Sequence, residues 1–294
     1  MASIDQRLRL RASAALALLA LLGTACAGES PGKAADPADP GIGHVHGLGV
    51  DPADGTIYIA GHYGLFQIRS PDTAQRIADR VQDHMGFTVV GPETFLASGH
   101  PAAADVPPGG SPHLGLIRTT DAGTTWTSVS EAGSADFHSI QPAGTALYAY
   151  DSQTERVRRS VDEGRTWVPG AKAQVIDLAG HEEEPNRVYA TTQDGLQVSH
   201  DSGMNFTALT SAPLLSHVDS LSKDELIGVG VDGQVQASEN GGKTWQASGR
   251  LPGQASAFTA VNRQRLLAAM DDGTVMESSD GGRQFSVVYR PASN

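Results

Sequence analysis

Ser160-Val161-Asp162-Glu163-Gly164-Arg165-Thr166-Trp167 has four further copies along the chain: Thr119 to Trp126 (TTDAGTTW), Ser199 to Phe206 (SHDSGMNF), Ser238 to Trp245 (SENGGKTW) and Ser278 to Phe285 (SSDGGRQF). Their acidic or amide positions, Asp121, Asp162, Asp201, Asn240 and Asp280, follow one another at steps of 41, 39, 39 and 40 residues. A fixed period near 40 marks a repeat architecture. Within the motif the short acid can accept hydrogen bonds from the amides of its own turn. The glycine permits positive φ, and the aromatic ring is suited to burial between neighbouring sheets. Asn240 serves as an acceptor equally well. These roles make the repeated acids turn braces rather than catalytic carboxylates or calcium ligands.

Outward from the motif, each period divides into four short pieces of β character separated by turn residues, the content of one propeller blade. Blade three predicts an inner strand at Phe137 to Gln141, then Ala146 to Tyr150, Arg156 to Ser160 and an outer strand at Thr166 to Pro169. In blade one the motif has decayed to Ser70-Pro71-Asp72, and blade two carries an insertion, Gly99 to Pro112. Residues 44–294 therefore read as an all-β, six-bladed β-propeller. The chain starts on an inner strand and ends on an outer one, so ring closure is expected from side-chain packing between blades one and six.

The motif resembles the Asp-box, or BNR, repeat of sialidases, sortilin-type receptors and photosystem-assembly propellers, and the resemblance covers nearly the whole mature chain. It implies that the repeated turn joins the third and fourth strands, on the face away from any binding site. Similar bacterial proteins are often named glycosyl hydrolases, so a sialidase-like exo-glycosidase is one implied activity.

The first 25 residues are expected to be a leader. Arg7, Arg9 and Arg11 precede an apolar run from Ala12 to Leu22, 11 residues long, which is too short to span a bilayer and has the shape of a signal-peptide core. Cys26, the only cysteine, follows Leu22-Gly23-Thr24-Ala25. That stretch resembles the lipobox of bacterial lipoproteins, although Gly23 stands where leucine is usual. Lipidation at Cys26 would account for an odd cysteine in an exported chain. Residues 26–43, small, polar and Pro-rich, read as a flexible tether. The expectation is a lipid-anchored, extracytoplasmic monomer. Loss of the leader leaves 18 basic and 32 acidic residues, a formal charge of −14, which argues against nucleic acid as a partner.

With the repeated turn fixing one face, the histidines sort to the other. His44, His46, His84, His138 and His217 fall at blade starts, and His62, His100 and His113 in second-to-third connections; only His181 and His200 fall on the motif face. Aligned blade starts place His46 (HGLGVD), Met85 (MGFTVV), His138 (HSIQPA), Asp177 (DLAGHE) and Asp219 (DSLSKD) at matching positions. The endings Ala60-Gly61-His62 and Ser98-Gly99-His100 match as well. Imidazole and thioether together suit a transition metal, copper favoured by Met and zinc by His and Asp. His44, His46, Met85, His138, His62 and His100 are the candidate ligands. Tyr63, His217 and Asp219 are candidates for contact with a small ligand.

Two other functions compete. Sialidases hold the substrate carboxylate with three arginines, and none of the expected inner strands carries an Arg. Asp177 and Asp219 remain as a carboxyl pair for another type of glycosidase. The third reading is an assembly scaffold whose loops dock an exported or membrane protein.

Overall fold

The computed structural model describes residues 39–106 and 108–292; the leader, Cys26 and most of the tether lie outside them. The described chain forms six antiparallel sheets of four strands, each built from consecutive strands in chain order. The inner strands are Val45–Val50, Asp83–Gly91, Phe137–Ala143, Val175–Gly180, Leu215–Ser220 and Ala255–Ala260. This is the six-bladed all-β propeller that the period predicts. Among the described residues the only helix is a single 3-10 turn, Ala103–Asp105, inside the blade-two insertion. No described helix is long and apolar enough to cross a membrane. Ile42, which the sequence assigned to the tether, is buried against Val45 and Ile59, so the packed fold starts before His44.

The repeated turn closes on itself in the same way in each copy. In Ser160 to Trp167 the Ser160 hydroxyl donates to Asp162 Oδ1 at 2.7 Å and accepts the Gly164 N–H at 2.9 Å. The Thr166 N–H donates to Asp162 Oδ1 at 2.9 Å and its hydroxyl to Oδ2 at 2.7 Å. These bonds, the Thr166 hydroxyl first, hold the Asp162 carboxyl down at about 2. Asp201 is held at about 2 in the same manner by Asn205 and Ser199. Asn240 accepts the Thr244 N–H at 2.9 Å, so the turn works without a charge.

Among the described residues, six apolar clusters each fill one gap between adjacent blades. The aromatic residue that ends each motif packs into the gap on the side of the preceding blade: Trp126 with Tyr58 and Phe95, Trp167 with Phe137, Trp245 with Tyr189. Burial of such rings is the main drive that holds blades together. The gap between blades six and one is filled by Val45, Leu48, Ile59 and Phe66 against Leu267, Val275 and Tyr289. Two hydrogen bonds cross the same seam, from Thr259 Oγ1 to the Leu48 carbonyl at 2.9 Å and from the Arg290 N–H to the Pro71 carbonyl at 2.8 Å. Among the described residues no strand is exchanged across it.

Every inner strand carries a register shift at the same place, after Val45, His84, Phe137, Val175, Leu215 and Ala255. The extra residues are His46, Met85, His138, Ile176, Ser216 and Ser256. A bulge inserts one unpaired residue and re-aims its side chain. This corrects the alignment of blade starts: Ile176, not Asp177, matches His46, and Asp219 lies three residues beyond its blade's bulge at Ser216. His46, Met85 and His138 do occupy equivalent positions, and so do His62 and His100, which follow the paired Gly61 and Gly99.

Candidate metal centre

The bulges of blades one to three bring His46, Met85 and His138 to one mouth of the axial channel. With His44 they line an opening of about 340 Å³, whose opposite wall is Ile176, Ser216 and Val231. The ring centroid of His46 lies 4.9 Å from that of His44 and 4.6 Å from that of His62. Exposed Tyr63 stands edge-on to His62 at 6.1 Å.

The sequence reading missed two carboxylates that organise this end of the molecule. Asp83 and Asp136 each lie two residues before a bulge, the position that His44 holds in blade one. Asp83 Oδ1 is 3.6 Å from His46 Nε2, and Asp83 Oδ2 is 3.8 Å from His62 Nε2 and 3.5 Å from His100 Nδ1. Asp136 Oδ2 lies 2.8 Å from His138 Nε2 and 3.5 Å from His100 Nε2, and it accepts the Ser152 hydroxyl at 2.9 Å. Acid and imidazole thus alternate across three blades. The sequence signal was available: His44-Val45-His46, Asp83-His84-Met85 and Asp136-Phe137-His138 share one spacing, with a polar head, a packed middle and a channel-facing third residue.

Two groups of three ligand residues stand out among the described residues, His46 with His62 and Asp83, and His100 with His113 and Asp136. In each, one ligand atom per residue lies within 4.8 Å of the others. His46 Nε2 and Asp83 Oδ1 are buried and hydrogen-bonded to nothing. Burial first, then neighbouring His62, His44 and His138, push the His46 imidazole down to about 3, so it is neutral at physiological pH. Burial raises the Asp83 carboxyl although His62 and His100 oppose the shift. For Asp136 burial also acts upward, but His138 and Ser152 outweigh it and the carboxyl ends below its usual value. Neutral imidazole and carboxylate are the donors that zinc and copper(II) take.

Met85 reaches the mouth but belongs to neither group, and His138 is engaged by Asp136. His44 sits beside the first group, exposed. Deeper in, His217, Asp177 and Asp219 line an axial cavity of about 470 Å³ with His46 and His138. The two acids there link neighbouring blades: Asp177 Oδ2 accepts the Val218 N–H at 3.1 Å, and Asp219 Oδ2 accepts the Ala260 N–H at 2.6 Å. Ser139 Oγ does the same for Leu178 at 3.2 Å. Burial raises both carboxyls, Asp219 to about 8, and lowers His217. Among the described residues no Arg or Lys lines the cavity.

Fold and channel together make the chain a six-bladed β-propeller. No protein-family model matches the sequence, and comparison with curated proteins finds no match. Solved structures share the architecture. A gluconolactonase from Xanthomonas campestris, XC5397, superposes with a TM-score of 0.61 at 14% identity, covering 81% of this chain and 86% of that one. YCF48 bound to a D1 peptide gives 0.51 at 14% identity, covering 84% and 83%. The GH74 xyloglucanase from X. campestris gives 0.54 at 16% identity, covering 84% of this chain and 45% of that one. At such identities the likeness is one of fold.

Proposed function

We propose that this chain is an exported, lipid-anchored Asp-box propeller that binds a divalent transition metal, zinc or copper, at the His-rich mouth of its channel. The observation that carries the reading is the trio His46, His62 and Asp83, with one ligand atom from each within 4.8 Å of the others, and with His46 Nε2 and Asp83 Oδ1, 3.6 Å apart, buried and making no hydrogen bond. A buried polar atom left unpaired costs free energy, and a metal ion at that point would satisfy both. The Asp-box assignment rests on the self-bracing turn. The lipid anchor rests on Cys26 after Leu22-Gly23-Thr24-Ala25.

Elemental analysis and calorimetry on the purified protein test this. Zinc or copper should bind near stoichiometrically, and His46→Ala combined with Asp83→Asn should weaken binding at this trio at least about 10-fold, as expected when ligands are lost. Absence of binding by the unaltered protein would end the idea. Docking of a protein partner is a second reading, favoured by exposed Tyr63, Ile176, Leu214 and Val231 on the same face. Hydrolysis has less support, because Asp177 and Asp219 are already engaged in linking blades.

A further inference from the structure

We propose that His100, His113 and Asp136 form a second divalent-metal site, coupled to the first through the Asp83–His100 contact. The proposal rests on the reading that the first trio holds an ion. His113 comes from outside the repeat, at the end of the blade-two insertion. The insertion is pinned at its return, where the Leu114 N–H donates to the Gly99 carbonyl and the Gly133 N–H to the His113 carbonyl, both at 2.9 Å. The loop therefore delivers an imidazole to a fixed place, 5.6 Å between ring centroids from His100.

Asp136 is prepared to receive an ion there. Its side chain is 4% exposed, and Asp151 Oδ1 fixes its backbone by accepting the Asp136 N–H at 3.2 Å. Oδ2 is occupied by His138 and Ser152. Oδ1 is buried and has no partner, and neither has His113 Nδ1. One carboxylate oxygen is thus committed to orientation while the other stays available, the division of labour found where outer partners position a metal ligand. Two imidazoles and a carboxylate suit zinc or copper(II).

His100 ties the two sites together. Its Nε2 faces Asp136 at 3.5 Å and its Nδ1 faces Asp83 at 3.5 Å. With Nε2 on the second ion, the Nδ1–H points at a carboxylate that ligates the first. Asp83 then serves one ion directly and orients a ligand of the other.

Equilibrium dialysis against zinc, followed by elemental analysis of the full chain, separates the possibilities. Two zinc ions per chain are expected for the unaltered protein, one in His113→Ala and one in His62→Ala. Asp83→Asn should lose the first ion and bind the second about 10-fold more weakly. His113→Asn serves as a second variant, and melting curves without metal check that each variant is folded. If the unaltered protein binds only one zinc and His113→Ala keeps it, the second site is overturned and the first stands. Two zincs retained in both His113 variants would overturn it as well, and no zinc in the unaltered protein would remove both.

Discussion

Asp219 shows how far one residue's chemistry can depart from its sequence context. It was a candidate for ligand contact and for acid–base chemistry, yet its carboxylate accepts the Ala260 N–H of the next blade. Burial in a cavity lined by Asp177 and His217 but by no described Arg or Lys raises it to about 8, and Asp177 adds to the shift. In the unfolded chain an Asp titrates near ~3.9. Between about pH 4 and 8 the folded protein therefore keeps a proton that the unfolded chain has released, so this residue's contribution to stability falls as pH rises through that window. Asp219→Asn retains the acceptor without the charge. The variant should match the unaltered protein near pH 4 and exceed its stability by about 1–3 kcal/mol at pH 8, a figure discounted from ~1.4 kcal/mol per unit because the surroundings of a buried charge relax and screen it. Urea denaturation at pH 5 and pH 8 reads the difference; parallel curves for the two proteins would contradict it.

At the scale of the strand, the inner-strand bulge decides what was legible. The repeated turn gave the period, because Ser, Asp and Gly at fixed spacing are needed locally to close it, and nothing distant can move them. The bulge is different. It depends on pairing with the second strand, so no count along HGLGVD or DLAGHE reveals that Ile176, not Asp177, stands where His46 does. Asp83 and Asp136 escaped notice for a related reason: acids at or just before the start of a strand are common, and only the fold shows that these two share the position of His44. The residue after each bulge also meets the neighbouring blade. At that position blade six has Ala257, so the bulge itself accepts a methyl group. Blade two has Gly86, where a Cβ would lie 2.3 Å from the Phe137 carbonyl oxygen of blade three. Gly86→Ala must push two inner strands apart, and such overpacking typically costs 1–3 kcal/mol. The expected loss is about 2 kcal/mol in chemical denaturation. An unchanged midpoint would mean that the inner strands are not held at this separation.

For the whole molecule, closure without strand exchange puts the seam between blades six and one on the same footing as the other five gaps, with one exception. Each of those five gaps receives the aromatic that ends a motif, whereas the decayed motif of blade one, Ser70-Pro71-Asp72, brings none to the seam. Tyr289, 6% exposed and packed among the seam's residues, is the large ring that blade six brings to it, opposite Phe66 of blade one. Truncating a buried aromatic commonly costs about 3–5 kcal/mol. Tyr289→Ala should lose about 3 kcal/mol and, for a chain of this size, melt roughly 6–12 °C lower. The proposed metal ligands come from blades one to three and Tyr289 from blade six, so zinc stoichiometry should not change. Zinc at about 100 times its Kd should raise the stability of both proteins alike, by about 2.7 kcal/mol per site. Differential scanning calorimetry with and without zinc checks both halves. Melting at the unaltered temperature would show that the ring closes by something other than this packing, and loss of zinc along with stability would show that the mouth depends on the seam.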